Sequence, residues 1–162
     1  MALSPEQQTG IIGAFILNFG AAEMGTFQWI TALTTDLMLR DVALDMGLSR
    51  RIDLVCQLIG RSTESEEKKA RAVAVWREVS ELSKIRNKVA HSPMVPNPNG
   101  SGEWAIIDVK KMKGPGPYAL DPLHFDEIAV QGSRLAKLLP ELLKPFGPNV
   151  PDGKGGEEPN PV

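Results

Sequence analysis

The stretch that most constrains this chain lies near its start. Between Gly10 and Thr35 the only charged residue is Glu23. Ser4-Pro5-Glu6-Gln7 just ahead of it reads as a helix start. Ser4 can cap, Pro5 suits the first helical position, and Gln7 completes a capping box. The predicted helix runs to about Thr35. Ile12, Ile16, Phe19, Ile30 and Leu33 fall near one stripe, and Phe15, Ala22 and Trp29 near another. A helix that is apolar on almost every side must be covered on almost every side. In a chain of 162 residues, a second subunit is a natural part of that cover. Gly13, Ala14, Asn18, Ala21 and Gly25 are small enough for close helix approach. The glycines cost helix propensity, so packing must compensate.

A membrane span is the competing use of such a helix. It would place Glu23 near mid-bilayer, at a cost of about 2.5–3.5 kcal/mol. No Lys or Arg precedes Ile11–Phe19, so the segment makes a poor signal peptide, and no flanking cation appears before Arg40. The expectation is a soluble protein with no membrane contact. The single cysteine, Cys56, sits in Leu54-Val55-Cys56-Gln57-Leu58-Ile59 and reads as a small buried apolar residue. One cysteine allows no internal disulfide, which suits a reducing cytoplasm.

The rest of the chain is predicted as follows. A short helix spans about Asp36 to Met46 and is ended by Gly47. Ser49 caps the next, about Arg50 to Gly60. The most regular helix covers Glu66 to His91 and stops there, because Pro93 disfavours helical backbone at Ser92. Ser92 to Gly102 is rich in Pro, Asn and Gly and reads as loop. Glu103 to Val109 reads as a strand, with Tyr118 to Leu120 pairing to it as a hairpin. Asp121-Pro122 opens a last helix running to about Phe146, kinked or shortened by Pro140. This is one mainly all-α domain over 1–146, a bundle of four to five helices, with a loop and β-hairpin insertion over 92–120. A Pro/Gly-rich tail over 147–162 reads as disordered.

Candidate chemistry concentrates at the end of the long helix, in Arg86-Asn87-Lys88-Val89-Ala90-His91. On a wheel of ~100° per residue, Val75, Val79, Ile85 and Val89 lie within ~60° of Leu82, and Arg86 lies at ~40°. An arginine on an apolar arc needs an anion, because an unpaired buried charge is very costly. Either it pairs with a carboxylate, for which Glu23 is the natural partner, or it receives a phosphate in a cleft. His91 ends the helix, where the terminal carbonyls favour a cation. It is either a simple cap or, beside a guanidinium, equipment for phosphoryl chemistry. Asn87 precedes His91 by four residues and shares its face, so it can orient the imidazole or a phosphate oxygen. His124, in the first turn of the last helix, reads as structural. Lys110, Lys111 and Lys113 form a basic patch that reads as a solvated face. Two histidines and one cysteine leave no visible zinc site, and no cofactor is expected. A net charge of -2 argues against coating nucleic acid by bulk charge.

The Arg86–His91 segment resembles the Arg-x4-6-His motif of HEPN (higher eukaryotes and prokaryotes nucleotide-binding) domains. In these a polar residue, commonly Asn, follows the arginine, as Asn87 does here. The helical plan and the lone glutamate in a long apolar first helix are also similar to small bacterial HEPN-like proteins. The resemblance covers roughly Pro5 to Phe146. It implies a homodimer whose two motifs form one composite cleft, acting as a metal-independent endoribonuclease. His91 would then move the proton of the 2'-hydroxyl or of the leaving 5'-oxygen. Arg86 would stabilise the transition state, Asn87 would orient either group, and Lys88 would contact substrate. Glu23 would serve as the partner of Arg86. A role in phage defence or in a toxin–antitoxin pair, with an antitoxin protein as partner, comes with that resemblance. The alternative is a noncatalytic HEPN-like nucleotide-binding or protein-interaction module.

Overall fold

The structure, a computed structural model, describes residues 3–96, 104–107 and 122–146. These form five helices and one small sheet: α1 (Pro5–Leu33), α2 (Leu37–Leu44), α3 (Leu48–Arg61), α4 (Glu66–His91), β1 (Met94–Pro96), β2 (Trp104–Ile106) and α5 (Phe125–Leu142). The protein is mainly helical, as its patterning implies. The predicted disordered tail, the Lys110–Lys113 patch and Tyr118–Leu120 lie outside the described residues.

α1 begins with the capping box read from the sequence. The Ser4 hydroxyl accepts from the Gln7 N–H at 3.3 Å, and the Gln7 side chain accepts from the Ser4 N–H at 2.8 Å. The helix packs against α5, α3 and α4. Its Phe15, Phe19, Ala22, Trp29 and Ile30 enter a single core with Ile52, Val55 and Ile59 of α3, Trp76, Val79 and Leu82 of α4, and Ile128, Leu135 and Leu142 of α5. By length and composition alone α1 is long and apolar enough to cross a membrane. In this fold its aromatic stripe is the centre of the core.

Gly25 shows why a small residue is needed there. A Cβ added to it would lie 3.0 Å from the Leu142 carbonyl oxygen and 3.4 Å from the Trp76 ring. The same carbonyl accepts from the Trp29 indole N–H at 2.8 Å, tying the end of α5 to α1. Gly10, Gly13 and Gly20 face open space instead. Beside them Leu17 and Met24 are exposed. Among the described residues, α1 is therefore covered on its core side, and a second, partly apolar stripe is left bare.

Four local expectations are corrected. Gly47, not Ser49, is the N-cap of α3, with extended backbone at φ -64° and ψ 155°. Ser49 falls inside the first turn. Part of the segment read as loop forms β1, which pairs with β2, with Met94 opposite Ile106 and Pro96 opposite Trp104. The pairing is only three residues long, too short for β-propensity to signal. Ile106 then exchanges backbone hydrogen bonds with Leu123. That bridge holds Leu123 extended, so α5 starts at Phe125 with His124 as its N-cap, rather than at Asp121-Pro122. Finally, α5 ends at Leu142 rather than Phe146. Pro140 has no N–H for the carbonyl one turn back, and the helix stops two residues later.

Candidate functional site

α4 is built to run long and end sharply. The Ser65 hydroxyl accepts from the Lys68 N–H at its start, and Glu66 and Glu67 occupy the first turn. Lys88 and His91 occupy the last, so both termini complement the helix dipole. The Ser92 N–H closes the helix on the Lys88 carbonyl at 3.0 Å.

Arg86 projects from this last stretch towards α1. One of its terminal nitrogens donates to the Glu23 carboxylate at 3.2 Å, and the other donates to the Asn87 side-chain oxygen at 3.2 Å. The second Glu23 oxygen lies 3.7 Å from Arg51 Nη2, on α3. Three helices thus meet at one carboxylate held between two guanidinium groups. Arg51 is set more deeply than Arg86: its side chain is 9% exposed, against 32% for Arg86 and 31% for Glu23. It donates to the Met46 carbonyl at 3.0 Å, and its guanidinium sits 4.5 Å from the Phe27 ring centroid. Its buried Nε has no hydrogen-bond partner among the described residues. Two cations against one anion leave the cluster with one excess positive charge, reachable from solvent on the Arg86 side.

The structure brings together Glu23 and Arg86, the pair the sequence suggests, and adds Asn87 on the far side of Arg86. It does not bring His91 to them. α4 runs unbroken to His91, so Arg86 and His91 point ~140° apart around it. Among the described residues no hydrogen bond or ion pair joins His91 to Arg86, Asn87 or Glu23, and His91 is exposed. Asn87 is engaged by Arg86 rather than by the imidazole. Lys88 is half-buried in the same turn. His124 is exposed at the start of α5 and makes no side-chain cap bond.

Arg51 is the residue that sequence reasoning missed. The signal was present: on the α3 wheel it lies ~40° from Val55 and ~20° from Leu58, inside the apolar arc, as Arg86 does on α4. Cys56 is buried on the same helix, and that burial pushes its thiol above the ordinary range. Among the described residues no group of three His, Cys, Asp or Glu side chains is placed to hold a metal ion. Comparisons with protein-family models, curated proteins and solved structures gave no match for this chain.

Proposed function

We propose that this protein is a metal-independent endoribonuclease of the HEPN type, working as a cytoplasmic homodimer in phage defence or as the toxin of a toxin–antitoxin pair. One observation carries the reading. The Glu23–Arg86–Arg51 cluster keeps an excess positive charge at a solvent-reachable point, one turn and a half before an exposed histidine. A phosphodiester is the anion that such a guanidinium and imidazole would serve together.

The chemistry needs no metal. The ribose 2'-oxygen attacks phosphorus while a base takes its proton. The bond from phosphorus to the 5'-oxygen breaks, and an acid protonates the leaving oxygen. The products are a 2',3'-cyclic phosphate and a 5'-hydroxyl. His91 supplies the base or the acid, and Arg86 balances charge on the non-bridging oxygens. Glu23 holds Arg86 in place, and Arg51 holds Glu23. Because Arg86 and His91 diverge within one chain, the site is composite, with the two groups drawn from two copies. The bare stripe of α1, with Leu17 and Met24 exposed, supports such pairing. Asn87 and Lys88 then contact the phosphate backbone.

The Arg86–Glu23 bond itself favours a second reading. If that guanidinium is fully engaged inside the chain, the protein is a noncatalytic HEPN-like nucleotide-binding or protein-interaction module. Incubation of end-labelled RNA with protein in EDTA separates the two. The nuclease reading expects cleavage leaving phosphatase-resistant cyclic ends, reduced about 10²–10⁴-fold in His91→Ala and lost in Arg86→Ala. Mixing those two variants should restore part of the activity if one site uses both copies. Saturable nucleotide binding without cleavage would support the second reading, and a strictly monomeric protein would remove the composite site.

A further inference from the structure

The outer face of α1 follows a regular pattern. Gly10, Gly13, Leu17, Gly20 and Met24 succeed one another at steps of three and four, so all five lie within ~60° of Leu17. Leu17 is 75% exposed and Met24 57%. A Cβ at any of these three glycines would meet no described atom within 4 Å. Glycine is a poor helix former, and the close packing that explains Gly25 is missing at these three among the described residues. The face also avoids charge. Glu23 is turned ~120° from Leu17, into its pair of arginines.

The shape of this face matches itself in one register. Let two copies run antiparallel about a two-fold axis level with the Asn18–Phe19 peptide. Leu17 then faces the partner's Gly20, and Met24 faces the partner's Gly13. Both large side chains meet glycine, and each contact is made twice. A parallel pair would set Leu17 on Leu17 and glycine on glycine, with voids between. A cavity of about 510 Å³ lies between α1 and α5, walled by Gly10 and Ala14 on one side and Ala129 and Ser133 on the other. It flanks Gly13, where the partner's Met24 arrives, and a flexible thioether suits such a gap. A helix of 29 residues gives a strip ~43 Å long and ~10 Å wide, about 400 Å² per copy. The α5 wall of the cavity widens it towards the ~800 Å² per partner usual for a stable pair. The face suits a bilayer surface poorly. Such helices carry bulky apolar residues flanked by cations, whereas this one is glycine-rich, and Arg40, the first cation of the chain, is bonded to the Thr31 and Thr34 carbonyls.

We infer that the outer face of α1 is the docking surface for a second copy of this chain, antiparallel, with Met24 of each entering the α1–α5 cavity of the other. The inference rests only on the homodimer in the nuclease reading. Its assays contain no RNA, so a protein that pairs this way and cuts nothing separates the two. Sedimentation equilibrium should give a dimer, and Leu17→Lys, at an exposed side chain, should weaken it at least ~100-fold with an unchanged circular dichroism spectrum. Cross-linking reads the register. In a Cys56→Ala background, Gly13→Cys and Met24→Cys proteins should form a disulfide-linked dimer when mixed and oxidised. Neither should do so alone, because identical positions are then ~16 Å apart along the axis, beyond disulfide reach. A monomer at ~100 μM overturns the inference, as does a Leu17→Lys protein that dimerises like the wild type. Cross-linking of Gly13→Cys with itself overturns the antiparallel register. Flotation of a monomer with phosphatidylcholine vesicles would assign the face to a membrane and overturn it equally.

Discussion

Replacing Glu23 by Gln tests the central cluster most directly, because the shape is kept and one charge is removed. At 3.2 and 3.7 Å from two guanidinium nitrogens, the gross Coulomb attraction of each pair is about 4–5 kcal/mol at an effective dielectric of ~20. Little of the Arg86 share survives as net stability. Both side chains of that pair are about a third exposed, and solvent-reachable pairs contribute about 0–1 kcal/mol. The Arg51 share is different. Breaking a buried pair costs about 3–5 kcal/mol, because the remaining charge is left uncompensated. Arg51 keeps the Met46 carbonyl and the face of Phe27, which reduces the loss. Glu23→Gln should therefore destabilise the fold by about 2–3 kcal/mol, read from urea unfolding at pH 7. Arg51→Met should cost less, since Glu23 retains Arg86 and a reach to solvent. The double variant should be more stable than the sum of the two losses by at least ~1 kcal/mol, because removing the stranded cation removes most of the penalty. Additive losses, or a Glu23→Gln protein within ~0.5 kcal/mol of the wild type, would refute the picture of a carboxylate that compensates a buried arginine.

Three further outcomes follow from packing and burial. Gly25→Ala should lower stability by about 1–3 kcal/mol, since its Cβ meets a backbone carbonyl and a fixed indole. Gly13→Ala, into open space, should raise it by about 0.5–1 kcal/mol, unless it weakens self-association, which sedimentation on the same samples would detect. Cys56 should react with a thiol reagent such as DTNB in the folded protein far more slowly than in urea. Burial both shields it and pushes its thiolate fraction down at neutral pH, and rapid reaction in the native state would contradict that placement.

The helices were legible because local signals agreed. Ser4, Pro5 and Gln7 mark the start of α1, and Pro93 marks the end of α4, whose limits match the prediction residue for residue. These signals act within one turn of the chain, so the amino-acid order alone determines them. The sheet was not legible. β1 is three residues in a Pro-rich stretch, and its pairing with β2 depends on chain segments meeting in space. The start of α5 moved for the same reason, because Leu123 is claimed by Ile106 before the helix can begin.

The candidate site divides along the same line. The sequence by itself determined that Arg86 needs an anion and that Glu23, the one acid of an apolar helix, was available. Helical periodicity carries that inference, since it states which face a charge is on. Only the tertiary structure decided that Arg51 shares the same carboxylate and that His91 stays apart. Which helix faces which is set by the packing of α1, α3 and α4 around Trp76 and Phe19. No residue's neighbours in sequence encode that arrangement. The exposed stripe of α1 was also a tertiary outcome: the sequence asked for cover all round, and the described helices pack against one side, leaving Leu17 and Met24 exposed.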